Sequence, residues 1–172
     1  MNIQFATDEY NQALRAGQKE FRELSAAGQP THPAVLDELL PENGAHTVVD
    51  VGLIEIPSER IIGTKSAGRI AAFTPSFHPL LDPKSEFAAK WINLCAAHLG
   101  ETGITDPIVC YEYLGNFYVQ EGNKRVSVLR CFGAPRIPGQ VRRVMPAPSE
   151  DPRIRAYYEF LDFYKVSHLY TI

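Results

Sequence analysis

The sequence has too few cysteines to be built on disulfides. Cys95, Cys110 and Cys131 stand alone in apolar stretches, with neither the number nor the spacing of a disulfide framework or a zinc site. They read as small buried hydrophobes in a reducing compartment. No apolar run approaches the roughly 20 residues that span a bilayer, so no membrane association is expected. The segment Met1–Tyr10 is polar and acidic, unlike a signal peptide, and the expected location is cytoplasmic. Charge of one sign is also not in large excess. A net charge of −3 over 172 residues argues against a chain that binds nucleic acid non-specifically along its whole surface. There is no internal repeat, no low-complexity tract and no Walker A loop. The Gly-x-Lys of Gly63-Thr64-Lys65 lacks the leading Gly-x-x-x-x.

What is present is material for a core. Hydrophobic residues make up 45% of the chain and charged residues 22%, enough to fold one domain. Asp8–Leu24 has helical spacing at Tyr10, Leu14, Gly17, Phe21 and Leu24, with Thr7 as its expected cap and Gly28 and Pro30 as its end. A short helix is expected over Pro33–Leu40 and a linker over Glu42–His46. Thr47–Ile56 reads as a strand closed by Pro57. Ser58–Lys84 reads as one long loop rich in Gly, Pro, Ser and basic residues. Ser85 caps a helix to about Leu99, with Phe87, Trp91, Leu94, Cys95 and His98 on its buried face. His98 is expected as a satisfied core histidine and His78 as a packed surface one. Ile108–Tyr113 and Phe117–Gln120 form a hairpin turning at Leu114-Gly115-Asn116. A helix over Gly122–Phe132, a strand over Val141–Val144 and a helix over Arg153–Tyr164 follow. The alternation in Ser167–Ile172 reads as an unfinished strand, either an edge strand or the way into a further region of a longer chain.

The charge is unevenly distributed. Residues 60–145 hold 11 Lys and Arg against 6 Asp and Glu, while the remainder holds 6 against 14. A basic centre between acidic ends suits an anion site. Its candidate focus is the place where Phe117-Tyr118-Val119-Gln120 runs into Glu121-Gly122-Asn123-Lys124-Arg125 and then a helix. A helix start offers unpaired N–H groups and partial positive charge to a phosphate. Gly122 allows close backbone approach, and Lys124 and Arg125 add a point charge and a bidentate fork. Glu121 could serve a ribose hydroxyl, a metal or a transferred proton. The segment Arg60–Arg69, with Arg60, Thr64, Lys65 and Arg69, has the composition of a second phosphate-contacting loop.

These pieces occur in a suggestive order: Gly103-Ile104-Thr105-Asp106-Pro107-Ile108, then the hairpin strand, then Glu121-Gly122-Asn123-Lys124-Arg125-Val126-Ser127-Val128. In this the chain resembles the ParB/sulfiredoxin-like superfamily over about Thr47–Met145, and an uncharacterised bacterial ParB-like branch of it in particular. The resemblance implies a small mixed α/β (α+β) sheet with packed helices, preceded by an N-terminal helical extension (1–46). The domain itself would cover 47–146, and a C-terminal helix and tail 147–172. It further implies that Gly122, Asn123, Lys124 and Arg125 hold a nucleotide phosphate and that the Arg60–Arg69 loop contacts the same nucleotide. By position alone it offers Glu59 as an acidic catalytic residue beside Glu121.

Three departures narrow that reading. Asn123 stands where sulfiredoxins carry their catalytic Cys. Val128 stands where partition proteins favour Ala. Partition proteins also continue into a helix-turn-helix region, for which the sequence leaves no room after Met145. Sulfiredoxin activity and specific centromere binding are therefore not expected, and the expected ligand is a nucleoside triphosphate with Mg2+, bound and either hydrolysed or used for phosphoryl transfer. The alternatives are a DNA-associated module without catalysis and an interaction module, partnered by a second copy or by a C-terminal region of a longer chain.

Overall fold

The computed structural model describes residues 2–41, 46–101 and 103–167. Its first helix, α1 (Asn2–Ala26), is longer than the apolar spacing marks out. No helix breaker stands before Asp8, and Ala6 is fully buried, so the helix continues toward the N-terminus. Thr7 is accordingly no cap: its hydroxyl donates to the Ile3 carbonyl inside the helix at 2.8 Å. The other end matches expectation. Gly28 takes φ 68°, and the Gln29 N–H reaches the Leu24 carbonyl at 2.9 Å, a Schellman closure.

The stretch expected as a helix over Pro33–Leu40 divides into a strand, β1 (Ala34–Val35), and one helical turn, α2 (Leu36–Leu39). The reason is tertiary: Ala34 and Val35 pair in parallel with Gly63 and Thr64. Those partners form β3 (Ile61–Thr64), which lies inside the segment expected as one loop. The same segment holds 3-10 turns at Ser58–Arg60 and Ala67–Ala72 and a bridge between Phe73 and Pro79. The expected linker lies outside the described residues except for His46, which begins the long strand β2 (His46–Pro57).

Helix α3 (Glu86–His98) starts where its cap predicts, with Ser85 Oγ accepting the Ala88 N–H at 3.1 Å. Strands β4 (Ile108–Tyr113) and β5 (Asn116–Glu121) form the expected hairpin. Leu114 and Gly115 both have positive φ, 51° and 87°, which fits a type I′ turn. Helix α4 (Asn123–Cys131) follows, then β6 (Arg136–Pro146) and α5 (Pro152–Ser167). Strand β6 begins earlier than Val141 because Pro138 and Gly139, poor strand formers by themselves, are paired with Glu55 and Ile54 of β2. Of the unfinished strand at the end, Ser167 belongs to α5 and the rest lies outside the described residues.

The fold is mixed α/β, as expected. Six strands form one sheet in the order β1-β3-β5-β4-β6-β2. The pairs β1–β3, β3–β5 and β4–β6 are parallel, while β4–β5 and β2–β6 are antiparallel. Helices α1, α3 and α4 share a core around Tyr10, Trp91, Cys95 and Val128. The N-terminal extension is thus part of the same packing as the sheet-bound elements. Helix α4 is two-faced: Val128 joins the helical core, while Val126 and Leu129 pack with Ile108, Cys110 and Val141 on the sheet. Among the described residues no helix is long and apolar enough to cross a membrane.

Two polar networks fasten the loop over residues 73–79. The Trp91 indole donates to Ser127 Oγ at 2.8 Å, and the Ser127 hydroxyl donates to the Phe77 carbonyl at 2.5 Å, all of it buried. Phe77 itself is buried at φ 68°, a conformation that a bulky residue adopts only when its surroundings enforce it. On the other side Glu20 accepts from Thr74 Oγ1 at 2.7 Å, His78 Nδ1 at 2.8 Å and the Ser76 hydroxyl. Burial opposes the Glu20 charge, but the hydrogen bonds from Ser76, His78 and Thr74 outweigh it and hold the carboxyl below its usual range. His98, expected to be satisfied, instead has a buried Nδ1 with no partner among the described residues and lies 5.0 Å from the Phe132 ring.

Ser127→Ala would leave the Trp91 N–H and the Phe77 carbonyl buried without their shared partner, and should destabilise the protein by about 2–4 kcal/mol. Urea unfolding followed by Trp91 fluorescence measures this, and a loss under about 0.5 kcal/mol would show that the relay does not hold the loop. The thiols should be inert. Burial pushes Cys95 up to about 11 and Cys110 and Cys131 up to about 12. A thiol reagent at neutral pH should therefore react with the native chain far more slowly than with the unfolded one.

Candidate functional site

The sequence places Gly122 between a strand and a helix, and its backbone shows why glycine is required there. Gly122 has φ 104°, and an added Cβ would lie 2.7 Å from Ile108 Cγ2. The chain can then turn from β5 straight into α4, whose first helical bond is Val126 N–H to the Gly122 carbonyl at 3.0 Å. The N–H groups of Asn123, Lys124 and Arg125 therefore belong to the unpaired first turn. These three residues are among those that line a cleft of about 540 Å³.

Four cations from three segments line this cleft: Arg69 from the 3-10 turn, Lys90 from α3, and Lys124 and Arg125 from α4. Glu121 is the one carboxylate among its lining residues. Phe73, Phe87 and Leu94 supply an apolar wall, and Asn93 and Gln120 add amides. Lys124 Nζ lies 5.5 Å from the centre of the Phe87 ring. Its pKa is lowered by burial first, then by the nearby Arg69 and Lys90, with Glu86 acting the other way. Asn123 Oδ1 is buried and has no hydrogen-bond partner among the described residues, an acceptor in want of a donor.

Arg125 makes two contacts that the sequence did not show. Its Nη1 donates to the Asp106 carbonyl at 3.1 Å and to the Pro107 carbonyl at 2.8 Å. It thereby ties the Gly103–Ile108 segment to the start of α4, while Ile108 packs against Gly122. The two stretches that carry the resemblance are thus in direct contact, and only part of the Arg125 guanidinium remains for a ligand.

The expected second loop contributes one residue, Arg69. Arg60 and Glu59 sit at the 3-10 turn after β2 and do not line the cleft. Thr64 is buried and donates to the Ser66 carbonyl at 2.7 Å. Lys65 pairs with Asp37 and lies 5.4 Å from the Tyr111 ring. These two side chains are engaged where β1 and α2 meet β3, because the strand hidden in this segment directs them there.

Sequence reasoning did not single out Lys90 and Asn93, and assigned Phe87 to the core. The signal that existed was the mixed stripe Phe87, Lys90, Leu94 at helical spacing on α3. Its meaning depends on α3 packing beside the start of α4, which periodicity does not encode. Comparison of the chain with protein-family models, with curated proteins and with solved structures finds no match.

Gly122→Ala should cost about 2–4 kcal/mol, from the left-handed backbone and the contact with Ile108. Gly68→Ala, with open space around the position, serves as the neutral control. Arg125→Ala should cost about 0.5–1.5 kcal/mol, because the two backbone carbonyls it releases are exposed and return to water. Chemical denaturation decides both, and an Arg125→Ala chain as stable as the parent would show that these two contacts do not hold the Gly103–Ile108 segment.

Proposed function

We propose that the chain binds a nucleotide through its phosphates in the cleft before α4, in the manner of a ParB/sulfiredoxin-like domain. The observation that carries this reading is the convergence of Arg69, Lys90, Lys124 and Arg125 on the open first turn of α4. A concave site of about 540 Å³ suits a small polyanion better than a duplex backbone, which needs an extended basic stripe. The apolar wall formed by Phe87 and Leu94 suits a base. The unpartnered Asn123 Oδ1 suits a ribose hydroxyl, which can donate where a phosphate oxygen cannot.

In this reading Lys124 and Arg69 neutralise phosphate oxygens, and Arg125 contributes the part of its fork that the latch leaves over. A Mg2+ ion accompanying the phosphates would take Glu121 as its protein carboxylate and draw its remaining ligands from phosphate and water. Phosphoryl transfer in such a site is positioning and charge neutralisation, with Glu121 the one cleft carboxylate able to orient a nucleophile.

Titration calorimetry of nucleoside triphosphates with Mg2+ tests the proposal. Arg69→Ala and Lys124→Ala should each weaken binding roughly ten- to hundredfold, the loss of one charge-assisted contact of about 1.5–3 kcal/mol. Arg153→Ala, whose guanidinium pairs with Asp151 at 3.0 Å, should change nothing. Failure of the parent to bind any nucleotide, or binding of DNA that collapses steeply with salt, would put the DNA-associated reading first.

A further inference from the structure

The cleft contains a primary amine in a setting that phosphate binding alone does not require. We propose that Lys124 is an acylation site, modified by acyl phosphates that the cleft holds by their phosphoryl group. The inference rests on reading the cleft as a phosphate site and assigns it a covalent chemistry and a means of regulation.

Lys124 differs from the other lysines whose side chains are described. Lys65 pairs with Asp37, Lys90 with Glu86 at 2.9 Å, and Lys19 with Glu23 at 4.0 Å. Among the described residues, neither Lys84 nor Lys124 has a carboxylate within ion-pair distance. Of these two, Lys84 is exposed, while Lys124 lines the cleft with its Nζ over Phe87. The charged groups around it come from every neighbouring element: Arg69 from the 3-10 turn, Glu86 and Lys90 from α3, Glu121 from the end of β5, and Arg125 beside it. Burial, Arg69 and Lys90 favour the neutral amine, and Glu86 opposes them. A neutral amine is the nucleophilic form, and desolvation beside other cations is an established way to obtain one.

The step needs no further reactant. The Nζ lone pair attacks the acyl carbon, and the bond from that carbon to the bridging oxygen breaks. Inorganic phosphate leaves with the electron pair, and the nitrogen gives up its proton to the phosphate or to solvent. The products are an amide on Lys124 and free phosphate. Arg69, Lys90 and the N–H groups of the first α4 turn stand where the departing phosphate gathers charge. Acylation then removes one of the four cations and fills part of the cleft, so the modification closes the site to its own phosphate ligands.

The test uses the full chain with acetyl phosphate, sampled over time, with each acetylated lysine quantified by mass spectrometry. Lys124 should react roughly tenfold or more faster than Lys84, because a bound reagent is held next to it. Its rate should saturate with acetyl phosphate and fall when inorganic phosphate is added. With N-acetylimidazole, which carries no phosphate, the preference for Lys124 should shrink. Equal rates at Lys124 and Lys84, or the same preference with both reagents, would overturn the proposal. Calorimetry with inorganic phosphate separates the two levels: phosphate bound without selective acetylation sinks this inference alone, and no phosphate bound sinks the phosphate site with it. Lys124→Gln, which resembles the acylated side chain, should lower phosphate affinity about tenfold, and Lys84→Gln should not. Unchanged affinity in Lys124→Gln would overturn the claim that acylation closes the site.

Discussion

The buried relay from Trp91 through Ser127 to the Phe77 carbonyl is the contact on which the rest of the molecule depends. It joins α3, α4 and the loop after the second 3-10 turn at one point. A serine hydroxyl can donate once and accept as well, so Ser127 satisfies both a donor and an acceptor that would otherwise be buried unpaired. It also holds Phe77 in its left-handed conformation, which keeps that ring in the sheet core with Phe73. With α3 and α4 fixed to each other, Lys90 is brought to the same cleft as Lys124. The 3-10 turn that carries Arg69 leads directly into the fastened loop.

Like charges do not gather without something to hold them. Arg69, Lys90 and Lys124 repel one another, and Lys124 is partly desolvated as well. The cost is borne by apolar packing beneath the cleft, where Val126 and Leu129 lie against the sheet, and by the Glu20 network that fastens the Thr74–His78 loop to α1. Gly17 belongs to the same arrangement: a Cβ there would collide with the Pro79 carbonyl oxygen, so α1 can approach the loop only at a glycine. Cations assembled around an open helix start are the arrangement on which the proposed phosphate site rests.

A second buried charge shows the contrast. Glu112 lies between Arg143, at 3.3 Å, and the Tyr157 hydroxyl. Burial pushes its carboxyl up, against the hydrogen bond from Tyr157 and the charge of Arg143. This carboxylate has its partners inside the protein and fastens α5 to β4 and β6. In the cleft the pairing is less complete: Lys90 pairs with Glu86 at 2.9 Å and Arg125 donates to the Asp106 and Pro107 carbonyls, while Lys124 has no carboxylate within ion-pair distance among the described residues.

Local chemistry made several parts legible in advance. The Ser85 cap, the Leu114-Gly115 turn, the Gly122 break and the amphipathic face of α1 each depend on residues adjacent in the chain or one helical turn apart, so spacing alone determined them. Gly122-Asn123-Lys124-Arg125 at a helix start was readable for the same reason. Other features depended on partners distant in sequence. Strand β3 exists because Ile61–Thr64 finds β5 and β1, and that pairing took Thr64 and Lys65 away from the site they had seemed to join. Arg125 became a latch because Asp106 and Pro107 carbonyls lie within its reach, and Lys90 became a cleft residue because α3 packs beside α4. The sequence alone therefore determined where the backbone could turn and which segment could receive an anion. Tertiary structure decided which cations surround that segment, because hydrogen-bond partners and electrostatic neighbours are set by distance in space.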